Sequence, residues 1–218
     1  MPSIAALSVA VAAALATVPA SEPPDLDHLA AALLTEAEMP PGFTEPEMND
    51  SPLGERTYGY ALACRDTATT TSAWAYHRIF VRDGRSVTLS IGSPGARWAR
   101  ETVRKITDYP AACPEYTDTV NETEHRITRV RLTGTGPDAA AMADDWNTTW
   151  REGDPSWGRD VTAAVAQGDL VLTVAVDRYR SDPEFVTDTE FATIVAAAAG
   201  KLAAFPPDGV RRPAGCCG

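Results

Sequence analysis

The chain has 218 residues, of which 44% are hydrophobic, enough for one good-sized core or two small ones. Nineteen Lys and Arg stand against thirty Asp and Glu, a formal charge of -11. That balance argues against nucleic acid or an anionic membrane surface as partner, because both require clustered basic side chains.

Ile4 to Val18 is a short apolar run rich in alanine, and Val18-Pro19-Ala20 has the small residues of a signal-peptidase site. Residues 1–20 are therefore expected to be a signal peptide cut after Ala20, the other reading being a buried N-terminal helix. The run is too short for a stable membrane anchor, so no transmembrane segment is expected after cleavage. Export puts the cysteines in an oxidising compartment, where Cys64 and Cys113 are expected to form a disulfide. Cys216 and Cys217 lie in a tail, 206–218, with prolines and no apolar periodicity, expected to be disordered. A vicinal disulfide, a link between chains, a metal contact and no role at all are the alternatives for that pair.

Leu26, Leu29, Ala30, Leu33 and Leu34 recur at helical spacing, which predicts an amphipathic helix over 25–37. Thr35 and Glu38 stand three apart, as in a capping box, before Pro40-Pro41-Gly42 ends the unit. Residues 44–56 read as loop, Thr57 to Cys64 as a strand with Tyr58, Tyr60 and Leu62 on one face, and 65–71 as a polar turn. Trp74 to Val81 carries bulk on both faces, Trp74, Tyr76 and Phe80 on one and Ile79 and Val81 on the other, the mark of a central strand. Asp83-Gly84 predicts a type I′ turn, since both central positions need positive φ. The return strand, 85–91, alternates Val87, Leu89 and Ile91 with Ser86, Thr88 and Ser90. Ser93-Pro94 reads as the N-cap and first position of a helix running to about Asp108, which Pro110 stops.

After Cys113 come a polar linker, a strand over 126–132 and a turn at Gly134 and Gly136-Pro137. Residues 139–150 read as a strand rather than a helix because Trp146, Thr148 and Trp150 alternate. Trp157 falls in a loop. A hairpin follows, 160–166 and 170–176 about Gln167-Gly168-Asp169. Thr187 and Glu190 then open a last helix with Phe191, Ile194, Val195, Ala198 and Leu202 in one stripe. The fold class is α+β, one domain over 21–205 built on an antiparallel β-sheet with flanking helices.

The run Leu33-Leu34-Thr35-Glu36-Ala37-Glu38-Met39-Pro40-Pro41-Gly42-Phe43 resembles the opening of a family of extracellular sensor domains. These occur in exported proteins and lipoproteins of actinobacteria and on mycobacterial receptor-type serine/threonine kinases. The strand toward Trp150, the hairpin with Gly168-Asp169 at its turn and the C-terminal helix are similar to that family in order and spacing. The resemblance implies an antiparallel sheet packed with helices and a cleft for an unidentified ligand. It carries over no catalytic residue.

The residues themselves assign no enzyme chemistry. Of three histidines, His28 is expected at the surface, His77 satisfied within the sheet and His125 solvated. The turn Ile91-Gly92-Ser93-Pro94-Gly95 lacks the spacing of a nucleophile elbow. Asp144 and Asp145 are neighbours on a strand and must point to opposite faces. No cofactor, phosphate loop or metal pattern is expected. Candidate ligand-binding residues are the aromatics Trp146, Trp150, Trp157, Trp74 and Tyr76, with His77; the alternative is that they pack under a helix. The expected role is thus a secreted or cell-surface, non-enzymatic, sensor-like protein that binds a small molecule or a cell-envelope component. An envelope hydrolase and a structural scaffold are the runners-up.

Overall fold

The structure, a computed structural model, describes residues 26–46, 53–65, 68–148, 156–179 and 186–205. The expected signal peptide, the tail with Cys216 and Cys217, and Trp150 lie outside them. Strands β1 (Leu53–Ala61), β2 (Ala68–Arg82) and β3 (Arg85–Gly92) make one meander. Helix α2 (Ala96–Ala112) leads to a second, β4 (Glu115–Asp118), β5 (Thr123–Val130), β6 (Ala139–Thr148), β7 (Ser156–Gln167) and β8 (Leu170–Tyr179). The second meander returns to pair β8 with β3, giving one sheet in the order β1-β2-β3-β8-β7-β6-β5-β4 with every pair antiparallel. Helix α1 (Leu26–Ala30) and helix α3 (Asp188–Ala204) complete the α+β fold.

Strand alternation divides the apolar residues between two layers. Phe80, Val87, Leu89, Ile91, Leu172 and Val174 face α1 and α3, where Leu29, Leu33, Phe191, Ile194 and Leu202 close the main core. Phe80 is fully buried there, so truncating it to alanine costs about 3–5 kcal/mol. On the other face Ala75, Ala164 and Val171 are small enough to admit α2, which contributes Ala99, Val103 and Ile106. Tyr58 lies over β3 in this layer because Gly92 has no side chain: a Cβ there would sit 2.2 Å from the Tyr58 hydroxyl.

The sheet curls about α2. The helix packs against edge strand β1 as well as β5 to β8. The Gly59 N–H donates to Thr102 Oγ1 (2.9 Å) and the Ala63 N–H to Tyr109 Oη (3.0 Å). The expected Cys64–Cys113 disulfide, Cα to Cα 5.9 Å, ties the segment after β1 to the segment before β4. Both sheet edges are thus held at one helix, and the α2 face is concave.

Several boundaries differ from the sequence reading. The helix expected over 25–37 stops at Ala30, and a 3-10 turn, Glu36–Glu38, follows. Arg78 Nη1 donates to the carbonyls of Leu33 (3.4 Å) and Leu34 (2.8 Å), so those carbonyls serve β2 and not a helical ladder. Helix α2 starts after Gly95, not at Ser93-Pro94. Its first free N–H, on Ala96, is capped from a distance by Asp169. Pro110 sits inside the last turn rather than ending the helix. The polar linker after Cys113 is strand β4, and Trp157 belongs to β7, not to a loop. β1 and β2 begin at Leu53 and Ala68, inside the loop (44–56) and the polar turn (65–71) expected there. The Asp83-Gly84 turn has the positive φ values expected, 53° and 76°.

Candidate functional site

Helix α2 covers only one end of the concave face. Along β8, Val171 is fully buried while Thr173 and Ala175 are only partly buried; along β7, Ala164 is buried while Thr162 and Asp160 are partly buried. The same step occurs on β3 between Gly92 and Thr88. Beyond α2 the face is polar, with buried Ser90 and the partly exposed Thr88, Thr173, Thr162, Asp160 and Asp144 in adjacent registers. A histidine cluster lies on each side of this band.

The first cluster is on β2 and β3, where His77 and Ser90 are direct cross-strand partners. Ser90 Oγ lies 2.6 Å from His77 Nδ1, and Arg56 Nε donates to His77 Nε2 at 3.4 Å. Arginine has no acceptor, so Nε2 carries the lone pair and Nδ1–H donates to Ser90. Burial, and then the Arg56 charge, hold the imidazole below its usual value. A nucleophilic serine needs the opposite arrangement, a histidine nitrogen free to take its proton and an acid behind the ring. His77 is satisfied in the sheet as expected, and an arginine occupies the place of the acid.

The second cluster is on β4, β5 and β6. His125, expected to be solvated, is instead part-buried: its Nδ1–H donates to Asp144 Oδ2 at 2.9 Å, with side-chain exposures of 16% and 21%. Its ring stacks on Tyr116 with centroids 4.5 Å apart and planes 2° from parallel. Burial raises the Asp144 carboxyl and the His125 hydrogen bond partly offsets that rise. The Tyr116 hydroxyl is pushed up by burial and then by its hydrogen bond with Tyr109. Half-buried Trp146 lies beside His125 across the β5–β6 ladder. Asp145 turns to the other face and pairs with Arg159, as alternation requires.

The chain therefore holds a serine–histidine pair and a histidine–aspartate pair in two separate places. Strands β8 and β7 stand between them. Among the described residues no group of three or more His, Cys, Asp and Glu is placed to hold a metal, and no helix is long and apolar enough to cross a membrane.

The residues expected to bind ligand divide between the faces. Trp146 and His77 share the concave face. Trp74, Tyr76 and Trp157 project from the other, with Trp74 41% and Trp157 52% exposed and Tyr76 partly packed on the main core. His28 is half-buried against Phe205, with ring centroids 5.0 Å apart, rather than at the surface. The sequence reading missed Asp144, Tyr116 and His125 as a group. Their signal was the alternation of 123–127 against 144–148, visible only once the register is known.

No family model matches the chain, and no curated relative matches it. Among solved structures it is similar to the extracellular domain of PknH from Mycobacterium tuberculosis, at 16% identity and a TM-score of 0.46, over 84% of this chain and 99% of that one. At that level the likeness fixes neither fold nor role.

Proposed function

We propose that the protein is a secreted or cell-surface binding module without catalytic activity, and that its ligand enters the open part of the concave face. The carrying observation is the step in burial at the edge of α2, which leaves a polar band flanked by Trp146, His125 and Tyr116 on one side and His77 on the other. Aromatic faces and hydroxyl and carboxylate groups side by side suit a polar organic ligand, a small molecule or a component of the cell envelope. The non-catalytic reading is supported by the separation of the two half-sets: His77 lacks an acid and His125 lacks a nucleophile among the described residues. The extracytoplasmic reading is supported by the Cys64–Cys113 disulfide and by the sensor-type run at 33–43.

Native mass spectrometry of the secreted chain, set against its denatured mass, tests this. An added mass that leaves on denaturation is the expected result and gives the ligand's size. Turnover of envelope esters or glycosides that survives purification and is lost in Ser90→Ala would replace the binding reading with a hydrolase.

A further inference from the structure

A pocket lies away from the polar band, at the other end of β5 and β6. Strands β5 and β6 part after the pair Val130–Ala141, and the connection between them borders this half-open pocket of about 240 Å³. Thr107 of α2, Arg129, Arg131, Leu132, Thr135 and Gly136 line it. This is far more room than the roughly 10–15 Å³ that one water molecule needs.

The pocket is basic in a protein of net charge -11, and its arginines differ from Arg78, Arg82, Arg104, Arg126 and Arg159, which pair with Glu45, with Glu190, with Glu101 and Asp108, with Glu115, and with Asp145 and Asp188. No carboxylate lines this pocket. Arg129 is held at its wall by one neutral bond, Nη2 to the Thr107 carbonyl at 3.0 Å, which leaves its other N–H groups for a ligand. Arg131, just past the end of β5, lines the same pocket. Gly136, at φ +75°, has nothing within 4 Å of where a Cβ would be, so the loop backbone is open to close approach. Leu132 and Ala139 supply an apolar wall.

We propose that this pocket binds a small organic phosphate monoester. Two guanidinium groups match a dianion in charge and in forked geometry, and the apolar wall takes the organic part. A carboxylate supplies one charge where the pocket presents two. The site is at the opposite end of β5 and β6 from His125 and Trp146 and does not depend on the reading of the concave face.

The test is a titration of the disulfide-bonded protein with glycerol phosphate at constant ionic strength, followed through the backbone amide signals of Thr135 and Gly136. Parallel titrations use acetate, and vesicles of phosphatidylglycerol, whose phosphate is a diester. Saturable shifts at these amides below about 1 mM glycerol phosphate, weakened at least 10-fold in Arg131→Gln and unchanged in Trp146→Ala, are the expected result. Arg131 is exposed, and an unchanged thermal midpoint of the variant serves as the control for an intact fold. Arg131→Lys keeps the charge without the fork and is expected to recover only part of the binding. The proposal is overturned by no saturation, by equal affinity in Arg131→Gln, by acetate binding as tightly as the monoester, or by binding only to vesicles.

Discussion

His125 and Asp144 face each other from β5 and β6, Nδ1 to Oδ2 2.9 Å, with the imidazole lying flat on Tyr116. Burial raises the Asp144 carboxyl above its ordinary 3.8, and the histidine pulls it back. Removing the ring in His125→Ala is expected to raise the Asp144 midpoint further, as read by carboxyl carbon NMR. Because the folded value is the raised one, stability from the protonated form is present below 3.8 and is lost as pH rises through the folded midpoint. The stability deficit of His125→Ala should accordingly be larger at about pH 6 than at about pH 3. A midpoint that falls in the variant contradicts the assignment.

Glu38 works in the other direction. Its carboxylate accepts from Lys201 Nζ at 2.5 Å and from the Thr35 N–H at 2.7 Å, and it is pushed down to about 2, first by Lys201. A depressed acid contributes stability above its ordinary 4.5 and loses it as pH falls toward about 2. In Lys201→Met the Glu38 midpoint should return toward 4.5, with a stability change of at most about 1 kcal/mol, because the pair is partly solvated. The check is acid unfolding of both proteins followed by circular dichroism.

Asp169, in the β7–β8 turn, caps a helix 73 residues earlier in the chain, accepting the Ala96 N–H at 3.0 Å while its carbonyl accepts the Gly95 N–H at 3.3 Å. Asp169→Ala should cost about 1 kcal/mol, and Asp169→Asn, which keeps an acceptor, a few tenths. Urea midpoints with unchanged m-values would show this, and equal losses in the two variants would point away from capping.

The disulfide closes a loop of sequence separation 49. Replacing both Cys64 and Cys113 by alanine should cost about 4 kcal/mol in the chain-entropy model. Since that bridge also holds the two sheet edges at α2, hydrogen exchange should rise first in β1 and β4. Uniform loss of protection would argue that the bridge acts only on the unfolded chain.

Local chemistry made some of this fold legible in the sequence. Asp83-Gly84 needs two positive φ values, and Val87, Leu89 and Ile91 alternate against Ser and Thr, so the hairpin and its core face follow from the residues alone. Thr187 does accept the Glu190 N–H at 3.1 Å, as the spacing implies. What failed depended on distant partners. Leu33 and Leu34 carry a helical spacing, but Arg78 takes their carbonyls from across the core. Ser93 is a good cap by type, yet Asp169 supplies the cap. β4 has four residues and no apolar stripe, and only its pairing with β5 makes it a strand. The candidate site divided for the same reason. His77 and Tyr76 are neighbours in sequence but point to opposite faces, while His125, Asp144 and Tyr116 are far apart in sequence and meet through register.

The central claim is that ligand sits on the open part of the concave face. It is tested most directly by native mass spectra of the secreted wild type and of Trp146→Ala, both prepared in the presence of envelope extract. The expected result is a bound mass on the wild type that is lost or reduced at least 10-fold in the variant, while both proteins unfold at the same urea midpoint. A bound mass held equally by both, or none on the wild type, would contradict it.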